Sequence, residues 1–161
     1  MATVTRALTP DQHRSWDEDG YAVVPAETSG ARLLDLVAEV LGGPAERVGT
    51  EPVERVPGAP AGRWRRAGDG GVTAWVAVTV ADLAAGCPWV VPGSHRTRDT
   101  RPEGNDARLP ADAAPPDPAA TRPVPLAAGD LLLVHDRLLH RVTGNHTAAP
   151  AAARVSRFRR M

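Results

Sequence analysis

Apolar and polar positions alternate most clearly in residues 72–80, VTAWVAVTV. Side chains two residues apart share one face of a strand, so one face here carries four valines and an alanine. The other face carries Thr73, Trp75, Ala77 and Thr79. Because both faces are largely apolar, the pattern predicts a central strand that is buried on both sides.

Shorter apolar runs between turn residues extend this pattern to the rest of the chain. The run LLLV at 131–134 follows the turn signal Gly129-Asp130 and predicts a second buried strand. A weaker candidate includes Val53 and Val56, which flank charged residues. Further strand candidates are residues 21–24, 89–91, 124–126 and 154–159. Together these runs predict about eight short strands.

Two helices are predicted before most of the strands. Thr9 caps the first, Pro10 occupies its first turn and Gln12 reaches back to the cap, and this helix ends near Gly20. The second runs from Ser29 to the glycine pair at 42–43. One face of this second helix carries Leu33, Leu36, Val37 and Val40.

Few helices and many short strands favour a mainly β fold with flanking helices. The architecture that this order predicts is an antiparallel sandwich or barrel of the jelly-roll type. A chain of 161 residues is long enough for a core, and we expect one domain over residues 1–161. Residues 98–122 are rich in Pro, Ala, Asp and Arg and have no periodicity, which predicts a mobile loop that is either a lid or a disordered insert.

Composition and charge exclude several classes of function. The 19 basic and 19 acidic residues balance, so no bulk charge favours nucleic acid or a membrane surface as a partner. All basic residues are arginine, which excludes a lysine Schiff base, and the single Cys87 excludes an internal disulfide. No apolar run approaches the roughly 20 residues of a membrane span, and the N-terminus lacks a signal core. We expect a cytoplasmic protein.

Residues 129–154 form the pattern most typical of a functional site. A buried strand ends in polar residues, His140 closes a second short run, a turn follows at 143–145, and Arg154 opens the last strand. A histidine at a strand end is also often purely structural. His95, His135 and His146 lie in predicted turns or loops, where solvent or backbone contacts are the simpler expectation.

Three segments in order resemble the phytanoyl-CoA dioxygenase family of iron(II)/2-oxoglutarate oxygenases. The segment 8–24, LTPDQHRSWDEDGYAVV, is similar to the family's opening helix and strand. The segment 72–96, with its "vtaW" strand and PGSHR turn, is the most specific of the three. The segment 126–145 resembles the family's GD strand, its histidine and the following asparagine. The resemblance implies a double-stranded β-helix, in agreement with the strand count.

The family's chemistry implies a metal held by two histidines and one carboxylate, with open positions for 2-oxoglutarate and oxygen. The resemblance matches His140 to the second metal histidine and Asn145 to the asparagine of the following turn. Arg154 is the best match for the arginine that pairs with the 2-oxoglutarate carboxylate, about three residues further along than usual.

The first metal motif, His-x-Asp after a tryptophan, has no counterpart. No histidine lies between His13 and His95, and the corresponding segment reads Trp64-Arg65-Arg66-Ala67. In this alignment Arg65 replaces the histidine and Ala67 replaces the aspartate. The residues then indicate either a lost iron site or one rebuilt from His140 with Asp69 or Asp136. Arg65 and Arg66 are alternatively a solvated basic turn.

Three functions follow from this departure. The first is a biosynthetic enzyme for small molecules that needs no cofactor, in which His140 transfers protons, Arg65 replaces the metal's charge, and Trp64, Trp75, Asn145 and Arg154 bind substrate. Its step would be non-oxidative, such as a cyclisation or an isomerisation. The second is an oxygenase with a rearranged Fe(II) site and 2-oxoglutarate. The third is a non-catalytic subunit in a homodimer or in a complex with an active homologue.

Overall fold

A computed structural model describes residues 7–26, 32–68, 70–97, 107–108 and 115–161. The helices are α1 (Pro10–Asp19) and α2 (Leu33–Leu41). The strands are β1 (Tyr21–Val24), β2 (Ala45–Arg55), β3 (Arg65–Arg66), β4 (Val72–Ala77), β5 (Pro88–Val90), β6 (Ala107–Arg108), β7 (Arg122–Pro123), β8 (Leu131–His135), β9 (His140–Val142) and β10 (Ala151–Arg160).

The strands form two antiparallel sheets that face each other. The first sheet has the order β1-β8-β4-β10-β2, and the second has the order β6-β3-β9-β5-β7. Neighbours in each sheet come from distant parts of the chain, as in a jelly roll. The predicted mainly β fold with flanking helices is therefore confirmed, and β4 is the central strand of its sheet, as expected.

Alternation along the central strands divides the core into two layers. Val72 and Ala74 of β4 pack beneath the helices, together with Leu131 and Leu133 of β8. Residues one position along the same strands, such as Leu132 and Val134, pack between the two sheets instead. Because both faces of β4 and β8 are covered, their sequences read as nearly continuous apolar runs.

The first helix begins and ends as the sequence predicts. The Thr9 hydroxyl accepts a hydrogen bond from the Gln12 amide at 3.2 Å, and the Gln12 side chain accepts one from the Thr9 amide at 2.8 Å. Gly20 follows the helix with φ of 88°, a left-handed conformation that glycine adopts without strain. The second helix ends before Gly42, as predicted, while its predicted start at Ser29 lies outside the described residues.

Two strand boundaries differ from the predictions. Strand β4 ends at Ala77, and Val78 and Val80, predicted to be buried, are 55% and 52% exposed. Strand β8 begins only at Leu131, opposite Val76, and the Val78 and Thr79 amides both donate to the Ala152 carbonyl, so the regular ladder ends here and both valines face solvent. Strand β2 is longer than the weak strand that the sequence predicts around Val53 and Val56. Backbone pairing with β10 forms this strand, although most of its side chains are exposed.

The predicted loop at 98–122 is partly ordered where it is described. It contributes β6, a short 3-10 turn at Pro118–Ala120 and β7, which pairs with β5. Residues 98–106 and 109–114 lie outside the described residues. Among the described helices, none is long and apolar enough to cross a bilayer.

An aromatic cluster lies under the end of α1. The His135 ring packs 5.6 Å from the Trp16 ring and 5.2 Å from the His95 ring. The backbone holds both histidines, since His95 Nε2 is 3.0 Å from the Asp17 carbonyl and His135 Nδ1 accepts from the Arg137 amide at 3.1 Å. Burial lowers the pKa of His135 to about 4, with smaller contributions from the nearby His95 and Arg137 charges. Burial also lowers the pKa of His95.

We predict that acid destabilises the fold through His135. In the unfolded chain this imidazole takes up a proton near pH 6.5, whereas in the folded chain it does so only near pH 4. The unfolded state therefore binds more protons between these values, and the free energy of unfolding falls as the pH is lowered through this window. The loss is at most about 3 kcal/mol.

Urea unfolding of wild type, His135→Gln and His146→Gln between pH 7 and pH 4 measures this effect. His135→Gln should flatten the pH dependence, while the exposed His146 should leave it unchanged. A wild-type slope in His135→Gln would contradict the assignment.

Candidate functional site

A cavity of about 300 Å³ lies between the two sheets. This volume is at the lower end of the range for small-molecule sites. Strands of both sheets contribute side chains to its walls, and these walls differ sharply in polarity.

The wall from the first sheet is mostly apolar. One row of laterally paired residues crosses the sheet: Leu132 pairs with Trp75, Trp75 with Val155, and Val155 with Glu51. All four residues line the cavity. Glu51, on the edge strand β2, is the one charged residue in this row and ends it.

The wall from the second sheet carries the basic groups. Arg65 of β3 pairs with His140 of β9, and His140 pairs with Val90 of β5. These three residues line the cavity. Arg63, two residues before Arg65, also lines it and is exposed at the mouth. The structure thus places Arg65, His140 and Trp75 in one cavity.

The backbone fixes the protonation pattern of His140. Its Nδ1 lies 2.8 Å from the Leu138 carbonyl oxygen. A carbonyl can only accept, so Nδ1 carries the hydrogen, and Nε2 is the nitrogen that can take up a proton from a ligand. The ring is half-buried, which makes it accessible from the cavity.

The basic turn expected at Arg65 and Arg66 is in fact a strand with two different faces. Arg65 faces the cavity, whereas Arg66 is 5% exposed. Its guanidinium donates to the Arg137 carbonyl at 2.7 Å and to the Ser94 carbonyl at 3.3 Å. Arg66 is therefore a buried cross-link between loops, and the solvated-turn alternative is wrong for it.

Two other predicted substrate-binding residues lie outside the lining of the cavity. Trp64 packs on the opposite face of its segment against Leu139, and the Arg141 guanidinium lies 4.9 Å from its ring centroid. Arg154 is exposed. Its neighbour Val155 lines the cavity, and alternation along β10 directs Arg154 to the other face. The structure does not bring Arg154 to the position expected of a carboxylate-binding arginine.

Asn145 is also outside the cavity, where it holds a loop together. The residue is fully buried. Its amide nitrogen donates to the carbonyls of Arg55 at 2.9 Å and Ala149 at 3.0 Å. Its amide oxygen accepts from the amide and the hydroxyl of Thr147 at 3.0 and 2.7 Å. Every hydrogen-bonding group of the side chain is used within the fold.

The described residues do not match the ligand set of two histidines and one carboxylate. Arg65 pairs with His140 where the resemblance expects the first histidine, and Ala67, in place of the aspartate, is buried and has no donor atom. The Asp136 carboxylate accepts from the Gly71 amide at 3.1 Å and the Thr73 hydroxyl at 3.2 Å. Asp69 lies outside the described residues. Elsewhere in the described ranges no three His, Cys, Asp or Glu side chains are grouped for a metal.

Sequence reasoning did not single out three charged residues of the cavity, Glu51, Arg63 and Arg141. Glu51 lies on an edge strand with little apolar alternation, so the sequence indicates only weakly that this side of β2 turns inward. Val53, two residues further along, lines the cavity as well. This spacing of two, which puts both side chains on one face of a strand, is the one signal available for Glu51. Arg63 has the same spacing from Arg65.

We predict that Asn145→Ala destabilises the fold without affecting ligand binding. The change leaves buried carbonyl groups and the Thr147 donors without their partner, which typically costs about 2–4 kcal/mol. The measurement is the urea midpoint of Asn145→Ala against that of His146→Ala, an exposed neighbour expected to shift it little. An unchanged midpoint in Asn145→Ala would show that the hydrogen bonds contribute nothing net.

Comparisons with solved structures show the same fold in natural-product enzymes. The non-heme alpha ketoglutarate dependent carbocyclase SnoK from nogalamycin biosynthesis superposes with a TM-score of 0.78 and 20% identity, covering 98% of this chain and 87% of that chain. The epimerase SnoN, in complex with Fe³⁺, alpha ketoglutarate and nogalamycin RO, gives 0.77 and 19%, covering 93% and 82%. AviO1 from Streptomyces viridochromogenes Tue57 gives 0.70 and 18%, covering 98% and 96%.

Sequence comparisons agree with the structural ones. Phytanoyl-CoA dioxygenase domain-containing protein 1 of Mus musculus is 34% identical over 83 residues, which cover 45% of this chain. The match spans 28% of the length of that relative. The sequence profile of the family Phytanoyl-CoA dioxygenase (PhyH) matches residues 55–153, a region that includes Arg65, Trp75 and His140. This chain therefore belongs to the phytanoyl-CoA dioxygenase family.

Proposed function

We propose that this chain is a biosynthetic enzyme for small molecules that performs a non-oxidative step without iron. The observation that carries the proposal is the pairing of Arg65 with His140 on the wall of one cavity. A guanidinium there occupies the place that the family resemblance gives to a metal ligand. The fold is that of the family, while Arg65 and His140 offer an anion-binding group and a proton carrier in place of two metal-binding histidines.

A guanidinium and an iron(II) ion are poor neighbours. At a separation of about 6 Å and an effective dielectric constant of about 20, their repulsion is on the order of 5 kcal/mol. Among the described residues that line the cavity, His140 is the one histidine, and a single imidazole offers little to offset this repulsion. The same guanidinium suits an anion, because its planar donors pair with a carboxylate or a developing enolate oxygen.

The two residues together can carry a proton transfer next to a carbonyl group. The Nε2 atom of His140 accepts a proton from carbon, and the electron pair moves onto the carbonyl oxygen near Arg65. In an isomerisation His140 returns the proton to the same carbon or another one. In a cyclisation the enolate carbon attacks a second carbonyl carbon of the substrate and the proton goes to that carbonyl's oxygen, and in a dehydration the proton goes to a hydroxyl group that leaves as water. Nothing is oxidised in any of these steps. One positioned histidine contributes about 10²–10⁴-fold to such a rate.

The structural neighbours support a role in natural-product biosynthesis. SnoK is described as a carbocyclase and SnoN as an epimerase, both from nogalamycin biosynthesis. Acid–base catalysis can also close a ring or invert a stereocentre. Both neighbours are described as alpha ketoglutarate dependent. In this chain Arg65 stands where the resemblance expects the first metal-binding histidine, and we expect this replacement to remove the dependence. We expect a small-molecule partner and a cytoplasmic location.

Two alternatives have support of their own. An oxygenase with a rearranged Fe(II) site is favoured by the neighbours SnoN and SnoK. A supporting subunit is favoured by the exposed apolar side chains Val78, Val80 and Leu83, which lie close together along the chain. Metal binding and co-purification of a larger homologue separate these alternatives from the proposal.

We predict that Arg65 is required for binding a small carboxylate, with hexanoate as the probe. Arg65→Gln should weaken hexanoate binding about tenfold or more, because a hydrogen-bonded charge pair is lost. Arg154→Gln is the matched control, since Arg154 is exposed on the other face of β10 and should leave binding unchanged. Titration followed by NMR or calorimetry gives both affinities. Equal loss in the two variants, or loss in Arg154→Gln alone, would refute the assignment.

We predict that turnover depends on His140 and not on a metal. With a substrate identified by screening small carboxylates, His140→Ala should lose about 10²–10⁴-fold in rate, whereas a chelator should leave the wild-type rate intact. His146→Ala controls for the loss of an exposed imidazole. Full activity in His140→Ala would remove it as the proton carrier, and inhibition by the chelator would favour the oxygenase.

A further inference from the structure

We propose that Glu51 binds a protonated amine of the ligand, so that the cavity accepts a small molecule carrying both a carboxylate and an amine. This inference rests on the proposed function, since Arg65 binds the carboxylate. It adds a second anchor of opposite charge on the opposite sheet.

The position of Glu51 supports its role as a ligand contact. It ends the row that runs through Trp75 and Val155, and each member of that row lines the cavity. Thr50, one residue before it, uses the other face of β2, where its hydroxyl lies 2.9 Å from the Ser156 hydroxyl. Glu51 and Val53 therefore share the face of β2 that is turned toward the cavity.

The Glu51 carboxylate has no hydrogen bond or ion pair with any described residue. The same is true of the Arg63 guanidinium, which lines the same cavity from the other sheet. Both residues are exposed and line the cavity from opposite sheets, so a ligand that carries both charges can bridge them.

A purely anionic ligand would fit this cavity less well. Its carboxylate would gain from the arginines of the cavity, Arg63, Arg65 and Arg141, while the part of the ligand nearest Glu51 would leave that charge without a partner. A protonated amine on the same molecule provides this partner. The apolar side chains between them, Trp75, Val155 and Leu132, suit a hydrocarbon linker.

Three matched probes test the inference: hexanoate, 6-aminohexanoate and hexylamine. The linker is flexible and of the same length in each, so their affinities differ through the charged ends alone. For the wild type we expect 6-aminohexanoate to bind about three- to tenfold more tightly than hexanoate, because Glu51 is exposed and its pairing with an amine is of modest strength. Hexylamine should bind most weakly.

The variants Glu51→Gln and Glu54→Gln separate the inference from the proposed function. Glu54 is an exposed residue of the same strand with the opposite orientation, so its change should preserve the preference. Glu51→Gln should bring 6-aminohexanoate down to the level of hexanoate. Equal wild-type affinities for these two probes, or an undiminished preference in Glu51→Gln, would overturn the inference. Absence of hexanoate binding to the wild type would instead count against the carboxylate site at Arg65.

Discussion

The pairing between β3 and β9 is the constraint on which the proposed function of this molecule depends. It places the guanidinium-bearing residue Arg65 beside His140 on one wall of the cavity. The pair belongs to a sheet whose strands come from distant parts of the chain, so the two residues are brought together by the tertiary fold and not by their local sequence. A metal site built on His140 would have to tolerate a permanent positive charge next to it, and an anion site would gain from the same charge.

The fold keeps this wall in place through contacts outside the cavity. Arg66 points away from Arg65 and bonds to the carbonyls of Arg137 and Ser94, which ties β3 to the turns on either side. The Leu138 carbonyl orients the His140 ring, and the Ser94 hydroxyl accepts from the Leu139 amide at 2.8 Å. These hydrogen bonds add to the few backbone contacts that a strand of two residues can make. The chemistry of the cavity can change by substitution at Arg65 while this support remains.

Local signals allowed much of the fold to be predicted, and long-range contacts limited the rest. The cap at Thr9 and the alternation from Val72 to Ala77 are properties of neighbouring residues, and the structure agrees with both. The resemblance led to His140 and Arg65, and the structure places both in one cavity. The resemblance also matched Arg154 to the carboxylate-binding arginine, but the orientation of β10 carries its side chain outward. Glu51 was missed because β2 owes its strand form to pairing with β10 and not to its own pattern.

The measurement that tests the central claim most directly is an iron(II) titration of the purified, tag-free protein, monitored by anaerobic calorimetry. Metal analysis of the same protein comes first. Arg65 beside His140 predicts no binding at micromolar iron and no iron retained through purification. Tight binding of one iron per chain would show that residues near His140 form a metal site despite the guanidinium. The account of this cavity as an anion site without iron would then be wrong, and 2-oxoglutarate turnover would be the activity to measure.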